Sequence, residues 1–191
     1  VLLSSDGNTV AIGAPYNDGN GGDAGHVRVY DWNGSLWIQR GQDIGGEAVG
    51  DASGFSVSLS SDGNTVAIGA PYNGGDGIYS GHVRIYDWDG SLWVQRGQNI
   101  YGEASFNYSG WSVSLSSDGN TVAIGAPYND GNGADAGHVR VYDLSSSCAG
   151  CTDPLALNYD STIQYDDGSC IYPQGCIDTV AYNYDSLAIV D

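Results

Sequence analysis

Lysine and methionine are absent from the 191 residues, and five arginines stand against 23 acids, for a formal charge of −18. Such a chain cannot displace counterions from a phosphate backbone and is repelled by nucleic acid and by anionic lipid surfaces. Cations, neutral sugars and other proteins remain as partners. Glutamate is nearly missing too: Glu47 and Glu103 are the only two, and every other acid is aspartate. Aspartate belongs to turns and to oxygen-rich Ca²⁺ loops more than to helix surfaces. No stretch approaches the roughly 18 apolar residues of a membrane span, so no membrane insertion is expected of this segment. Cysteine is confined to the last quarter, as Cys148, Cys151, Cys170 and Cys176, which divides the chain into an expected repeat region, 1–147, and a tail, 148–191. No charged and then apolar leader follows Val1, so a secretory signal, if there is one, is expected outside this segment.

What the chain has is repetition. The string Ser-Ser-Asp-Gly-Asn-Thr-Val-Ala-Ile-Gly-Ala-Pro-Tyr-Asn places its first Asp at Asp6, Asp62 and Asp118, and Gly-His-Val-Arg places its histidine at His26, His82 and His138, with a common spacing of 56 residues. A shared period means one structural unit stacked several times. Within the middle copy, residues 55–60 alternate with Val57 and Leu59 on one face, and Ser61-Asp62-Gly63-Asn64 reads as a turn. Residues 65–70 alternate again and stop at Pro71, which cannot donate to a ladder. Residues 82–88 form a third strand, Asp89-Gly90 a tight hairpin and residues 92–96 a fourth strand, followed by glycine-rich chain. Four antiparallel strands in hairpin order, repeated, predict β-propeller blades. The small Ala67 and Gly69 on one face of the second strand leave room for large side chains of a neighbouring sheet.

The segments Gly54-Phe55-Ser56-Val57, Gly69-Ala70-Pro71 and Gly81-His82-Val83-Arg84, with Gly110-Trp111-Ser112-Val113 and Gly125-Ala126-Pro127 in the third copy, resemble the FG-GAP repeat of the integrin α-subunit propeller and of related surface proteins. The resemblance spans about residues 1–143 and implies a blade type, not an activity. The integrin-type Asp-rich Ca²⁺ loop between the first two strands is reduced here to Ser61-Asp62-Gly63-Asn64, too short to supply six oxygens. Fewer than three complete blades are present, whereas closed propellers take about 4 to 8. The chain is therefore expected to be part of a longer protein.

In the tail, Cys151-Thr-Asp-Pro-Leu-Ala-Leu-Asn-Tyr-Asp aligns with Cys176-Ile-Asp-Thr-Val-Ala-Tyr-Asn-Tyr-Asp, and the first unit closes on Asp166-Asp167-Gly168-Ser169-Cys170. These resemble the short Gly-Cys-Thr-Asp-Pro…Asp-Asp-Gly-Ser-Cys repeats of large secreted proteins. Units this small need staples, and disulfides imply an oxidising, extracellular setting. Four cysteines allow three pairings, of which Cys151 with Cys170 is the one expected. A zinc site on all four is the weaker reading, because the second pair lacks C-x₂-C spacing.

The three histidines occupy one repeat position, which points to structure and not catalysis; the expected partners are backbone or the recurrent Asp31, Asp87 and Asp143, with Arg28, Arg84 and Arg140 read alike. No nucleophile motif, phosphate loop or histidine-metal spacing is present, so no enzyme is expected. The loop carrying Asp18, Asn20 and Asp23, repeated with Asp130, Asn132 and Asp135, is the candidate Ca²⁺ loop, against a plain solvated loop; its middle copy keeps only Asp76. Asp160, Asp166 and Asp167 are further candidate ligands. Trp32, Trp37, Trp88, Trp93 and Trp111 could stack on sugars, although their recurrence favours packing between blades. Asn33 and Asn107 fit the N-glycosylation pattern, with Asn107, outside a tight hairpin, preferred. The expected function is a structural or adhesive segment of a large extracellular or cell-surface protein, partnered by other extracellular proteins, copies of itself or surface glycans. The alternative is a Ca²⁺-dependent carbohydrate-binding module.

Overall fold

The computed structural model describes residues 1–145, 149–150, 154–156, 165–166 and 171. The chain divides into two compact units, Val1–Asp143 and Leu144–Asp191. The first is all-β, with no helix among the described residues. Its first sheet contains β1 (Leu2–Leu3), β2 (Thr9–Ala14), β3 (His26–Trp32), β4 (Trp37–Gln39) and β5 (Ile44–Gly45). The second contains β6 (Ser56–Leu59), β7 (Thr65–Ala70), β8 (His82–Trp88), β9 (Trp93–Gln95) and β10 (Ile100–Tyr101). The third consists of β11 (Ser112–Leu115), β12 (Thr121–Ala126) and β13 (His138–Asp143). All pairings in these sheets are antiparallel. In the second unit, β14 (Ala149–Gly150) and β15 (Tyr165–Asp166) pair in parallel. All four cysteines lie outside the described residues.

The expected fourth strand is split. Both β4 and β5 pair with β3, and both β9 and β10 pair with β8, so the outer edge is one strand interrupted by a short crossing. Gly41 (φ 73°) and Gly97 (φ 68°) stand in these interruptions, in the left-handed region that glycine adopts cheaply. The chain taken as glycine-rich connection thus rejoins the sheet before leaving it.

The repeated Ser-Ser-Asp-Gly-Asn-Thr string builds one turn three times. Asp62 accepts hydrogen bonds from the Ser60 hydroxyl at 2.6 Å and the Asn64 amide at 3.0 Å, while Thr65 N–H donates to Ser60 Oγ at 2.9 Å. Asp6 and Asp118 repeat the set. These donors favour the ionised carboxylates: Asp6 is held down to about 2, and Asp62 and Asp118 are lowered by the same hydroxyl and amide bonds. The turns also stack, Ser5 N–H donating to Ser61 O and Ser61 N–H to Ser117 O, each at 2.9 Å.

Burial reveals how the sheets meet. Ala11, Val27 and Val29 of the first sheet are buried on the face that pairs Ala11 with Val29 and Gly13 with Val27. They form one core with Leu59, Val66, Ile68 and Trp93 of the second sheet. Small residues on one face admit the large ones of the next, as expected from the Ala/Gly pattern: Tyr86 and Trp88 pack against this core. A Cβ on Gly13 would meet Gly54 O at 2.0 Å, so only glycine lets the next unit's backbone pass. Every residue of β7 is buried, whereas β2 is covered on its Thr9/Ala11 side and β12 on its Val122/Ile124 side.

Candidate functional site: loops, clasps and an aromatic cleft

The candidate Ca²⁺ loops connect β2 to β3 and β12 to β13. Their oxygens organise the loops themselves. Asn17 Oδ1 accepts from Gly19 N–H at 2.8 Å, Asp18 Oδ1 accepts from Asp23 N–H at 2.9 Å, and Asn20 Nδ2 donates to Gly46 O at 3.3 Å. In the third copy Asn129 caps Gly131 and Asp130 caps Asp135 in the same way. Asn132 is exposed there. Asp23 and Asp135 hold left-handed φ values of 53° and 52°. Among the described residues, no three acidic, histidine or cysteine side chains gather where they could hold a metal ion. Asp160 and Asp167 lie outside the described residues, as does the side chain of Asp166.

The histidines do not meet Asp31, Asp87 or Asp143. His82 Nδ1 lies 3.7 Å from Glu47 and His138 Nδ1 3.7 Å from Glu103, while His26 lies 3.8 Å from Asp43. Asp31 and Asp87 are taken instead by Arg40 at 3.5 Å and Arg96 at 2.6 Å, and accept Thr9 and Thr65 hydroxyls. The reason is directional: in β3 and β8 the aspartate sits at the turn end and the histidine at the loop end. The two glutamates therefore act as clasps. Each leaves the end of one unit and reaches the histidine and arginine of the next, Glu47 to Arg84 at 3.8 Å and Glu103 to Arg140 at 3.5 Å. Their 56-residue spacing, in a chain with no other glutamate, was the overlooked signal.

His82 is fully buried and neither ring nitrogen has a hydrogen-bond partner. Burial first, and the neighbouring Arg84 second, push its pKa down to about 4, against the weaker pull of Glu47 and Asp51. It stays neutral at ordinary pH, as a packing group and not a base. Arg40 ties the sheets at their other end: its guanidinium donates to Gly63 O at 2.9 Å and lies over Trp88 and Trp93 at 5.0 and 5.6 Å. Trp93 is buried with its indole N–H on Arg40 O at 2.8 Å. These tryptophans are packing, whereas Trp32 and Trp37 remain exposed.

The glycosylation preference is reversed. Asn107 is 3% exposed and its Oδ1 accepts from Ala104 N–H and Asn129 Nδ2, so the amide expected to carry glycan is enclosed. Asn33 is exposed on the β3–β4 hairpin, its Oδ1 accepting from the Ser35 and Leu36 amides.

Between the second and third sheets lies a cleft of about 380 Å³ lined by Tyr72, Phe106, Tyr108, Trp111, Tyr128 and Asp135. Three of its rings stand nearly as the walls of a box corner: Tyr108 and Trp111 at 88°, Trp111 and Tyr128 at 88°, and Tyr108 and Tyr128 at 68°, with centroids 5.4 to 6.1 Å apart.

The architecture defines an all-β protein of repeated antiparallel sheets stacked face to face. The third copy of the repeat is the one that comparison identifies: residues 102–142 match the FG-GAP repeat model. The two earlier copies repeat much of the matched segment in sequence, at spacings of 56 residues. FG-GAP repeats are typically structural or binding repeats. No curated protein matches the chain. Among the described residues, no helix is long and apolar enough to cross a membrane.

Proposed function

We propose that the chain is a structural or adhesive segment of an extracellular surface protein, its three sheets being successive blades of an FG-GAP β-propeller. The observation that carries this reading is the interface used twice over: turn stacking, a guanidinium strap and a glutamate clasp recur at both sheet junctions. The recurrent Arg40/Arg96 and Glu47/Glu103 are spent on holding sheets together. Partners are other extracellular proteins, further copies or surface glycans, and the cysteine-containing tail is a disulfide-stapled spacer. Antibodies against the chain should label intact, unpermeabilised source cells; labelling only after permeabilisation would sink the extracellular assignment. Glycan arrays with and without chelator separate this reading from a Ca²⁺-dependent lectin. Tight sugar binding abolished by chelation would replace the structural reading with the lectin.

A further inference from the structure

The two sheet junctions are built alike except at one place. The six residues lining the cleft between the second and third sheets have counterparts 56 positions earlier in Tyr16, Gly50, Ala52, Phe55, Tyr72 and Tyr79. The tyrosines of the Ala-Pro-Tyr string are common to both. At the later junction Phe106 and Tyr108 replace the small Gly50 and Ala52, Trp111 replaces Phe55 and Asp135 replaces Tyr79, in copies that are otherwise nearly the same. Stacking alone does not call for them, since the earlier junction stacks without them. Phe106 and Tyr108 hold φ values of 64° and 53° where the earlier junction has Gly50 at 82° and Ala52 at 52°, so the turn is common to both junctions and the two rings are what the later one adds.

The lining chemistry selects the ligand. Ring faces set at right angles attract a cation through the ring quadrupole. Asp135 adds a carboxylate that has no cationic partner among the described residues: Arg28, Arg40, Arg84, Arg96 and Arg140 pair with Asp43, Asp31, Glu47, Asp87 and Glu103, and there is no lysine. About 380 Å³ lies within the range of small-molecule pockets, about 300–1,000 Å³. A neutral pyranose would instead ask for several directional polar partners, and the lining offers one carboxylate and tyrosine hydroxyls. We propose that the cleft formed by Tyr72, Phe106, Tyr108, Trp111, Tyr128 and Asp135 binds a quaternary or alkylated ammonium head group.

The test titrates the full 191-residue chain with choline by calorimetry and tryptophan fluorescence, beside 3,3-dimethylbutanol, its uncharged isostere, and a trimethyllysine peptide. Choline should bind saturably, with the neutral isostere about tenfold weaker or more, as expected for about 1.4 kcal/mol of cation–π and charge attraction. Asp135→Asn and Tyr108→Ala should each weaken choline about tenfold, and Ala52 shows that alanine is accommodated at the equivalent turn position. Asp89→Asn, which removes the same charge from a distant hairpin and recreates Asn33 of the first copy, should leave binding unchanged. Tighter binding of the peptide than of choline would place the head group on a modified protein; the reverse would make it a free or lipid-borne amine. Equal binding of the uncharged isostere, indifference to Asp135→Asn, preference for a neutral saccharide, or no binding of either ammonium probe would each overturn the assignment.

Discussion

The junction of the first and second sheets and that of the second and third share one scaffold and differ in what is hung on it. At both, a turn hydrogen-bonds the next turn, an arginine reaches a carbonyl of the following unit, and a glutamate crosses to a histidine–arginine pair. At the first, Gly50 and Ala52 stand at the loop end with Phe55 and Tyr79. At the second, Phe106 and Tyr108 replace the two small residues, Trp111 replaces Phe55 and Asp135 replaces Tyr79. Strict repetition therefore marks what the stack requires, and departure from it marks what the stack does not use. Catalysis and recognition need single, asymmetric placements, so in a repeat protein the informative residues are those that break the period.

The largest expected effect separates the doubly covered middle sheet from the first. Ile68 is fully buried, while its counterpart Ile12 is 38% exposed. Ile68→Ala should cost about 2–5 kcal/mol, cavity included, and Ile12→Ala far less. Urea denaturation of both variants checks this, and equal losses would show that the first sheet's open face is covered in solution. Next comes acid. The His82 imidazole titrates near 6.5 when unfolded and near 4 when buried beside Arg84. Between those values the unfolded chain holds the extra proton, so stability is full above about pH 6.5 and falls as pH drops towards 4. At 1.36 kcal/mol per unit the loss is about 3 kcal/mol. The urea midpoint followed from pH 7 to 4 should show it, and His82→Gln should flatten that slope.

The clasps rank third. Glu47 neutralises Arg84, whose side chain is 5% exposed, whereas Glu103 meets Arg140 at 35%. Glu47→Gln should cost about 1–3 kcal/mol by leaving a buried cation unbalanced. Glu103→Gln belongs with exposed pairs, at about 0–1 kcal/mol. Thermal melts of the two variants measure the difference; equal shifts would mean that burial does not set the clasp's worth.

Much of this was legible in the sequence, and the limits have physical causes. Strands β7 and β8 fall on residues 65–70 and 82–88 as alternation and Pro71 indicate, because each is long enough for a period of two to register. The split outer strand escaped, since two- and three-residue pieces around a glycine carry no period. A strand-local reading pairs His82 with Asp87, whereas Glu47, the carboxylate beside it, comes from the preceding repeat, which only stacking brings near. Asn107 was chosen for lying outside a hairpin, but an asparagine side chain can itself cap a buried loop, and this one caps Ala104. The cleft is not legible in the repeat period because four of its six residues are ones in which the copies differ.

The smallest effect is the most discriminating. Phe106 is 51% exposed and touches Tyr79 edge-on at 6.0 Å, so its removal forfeits little burial. Its backbone sits at φ 64°, where the earlier junction has Gly50 at φ 82°. Placing an aromatic residue in that region costs about 1–2 kcal/mol relative to glycine. Phe106→Gly relieves this while losing part of one ring contact, worth about 0.5–1.5 kcal/mol when fully formed. The variant should therefore be as stable as the parent or up to about 1 kcal/mol more stable, because glycine's greater freedom in the unfolded chain offsets part of the relief. Its affinity for choline should fall at the same time. A clear loss of stability in denaturant melts would instead make Phe106 part of the stack, and the two junctions would then differ in packing and not in purpose.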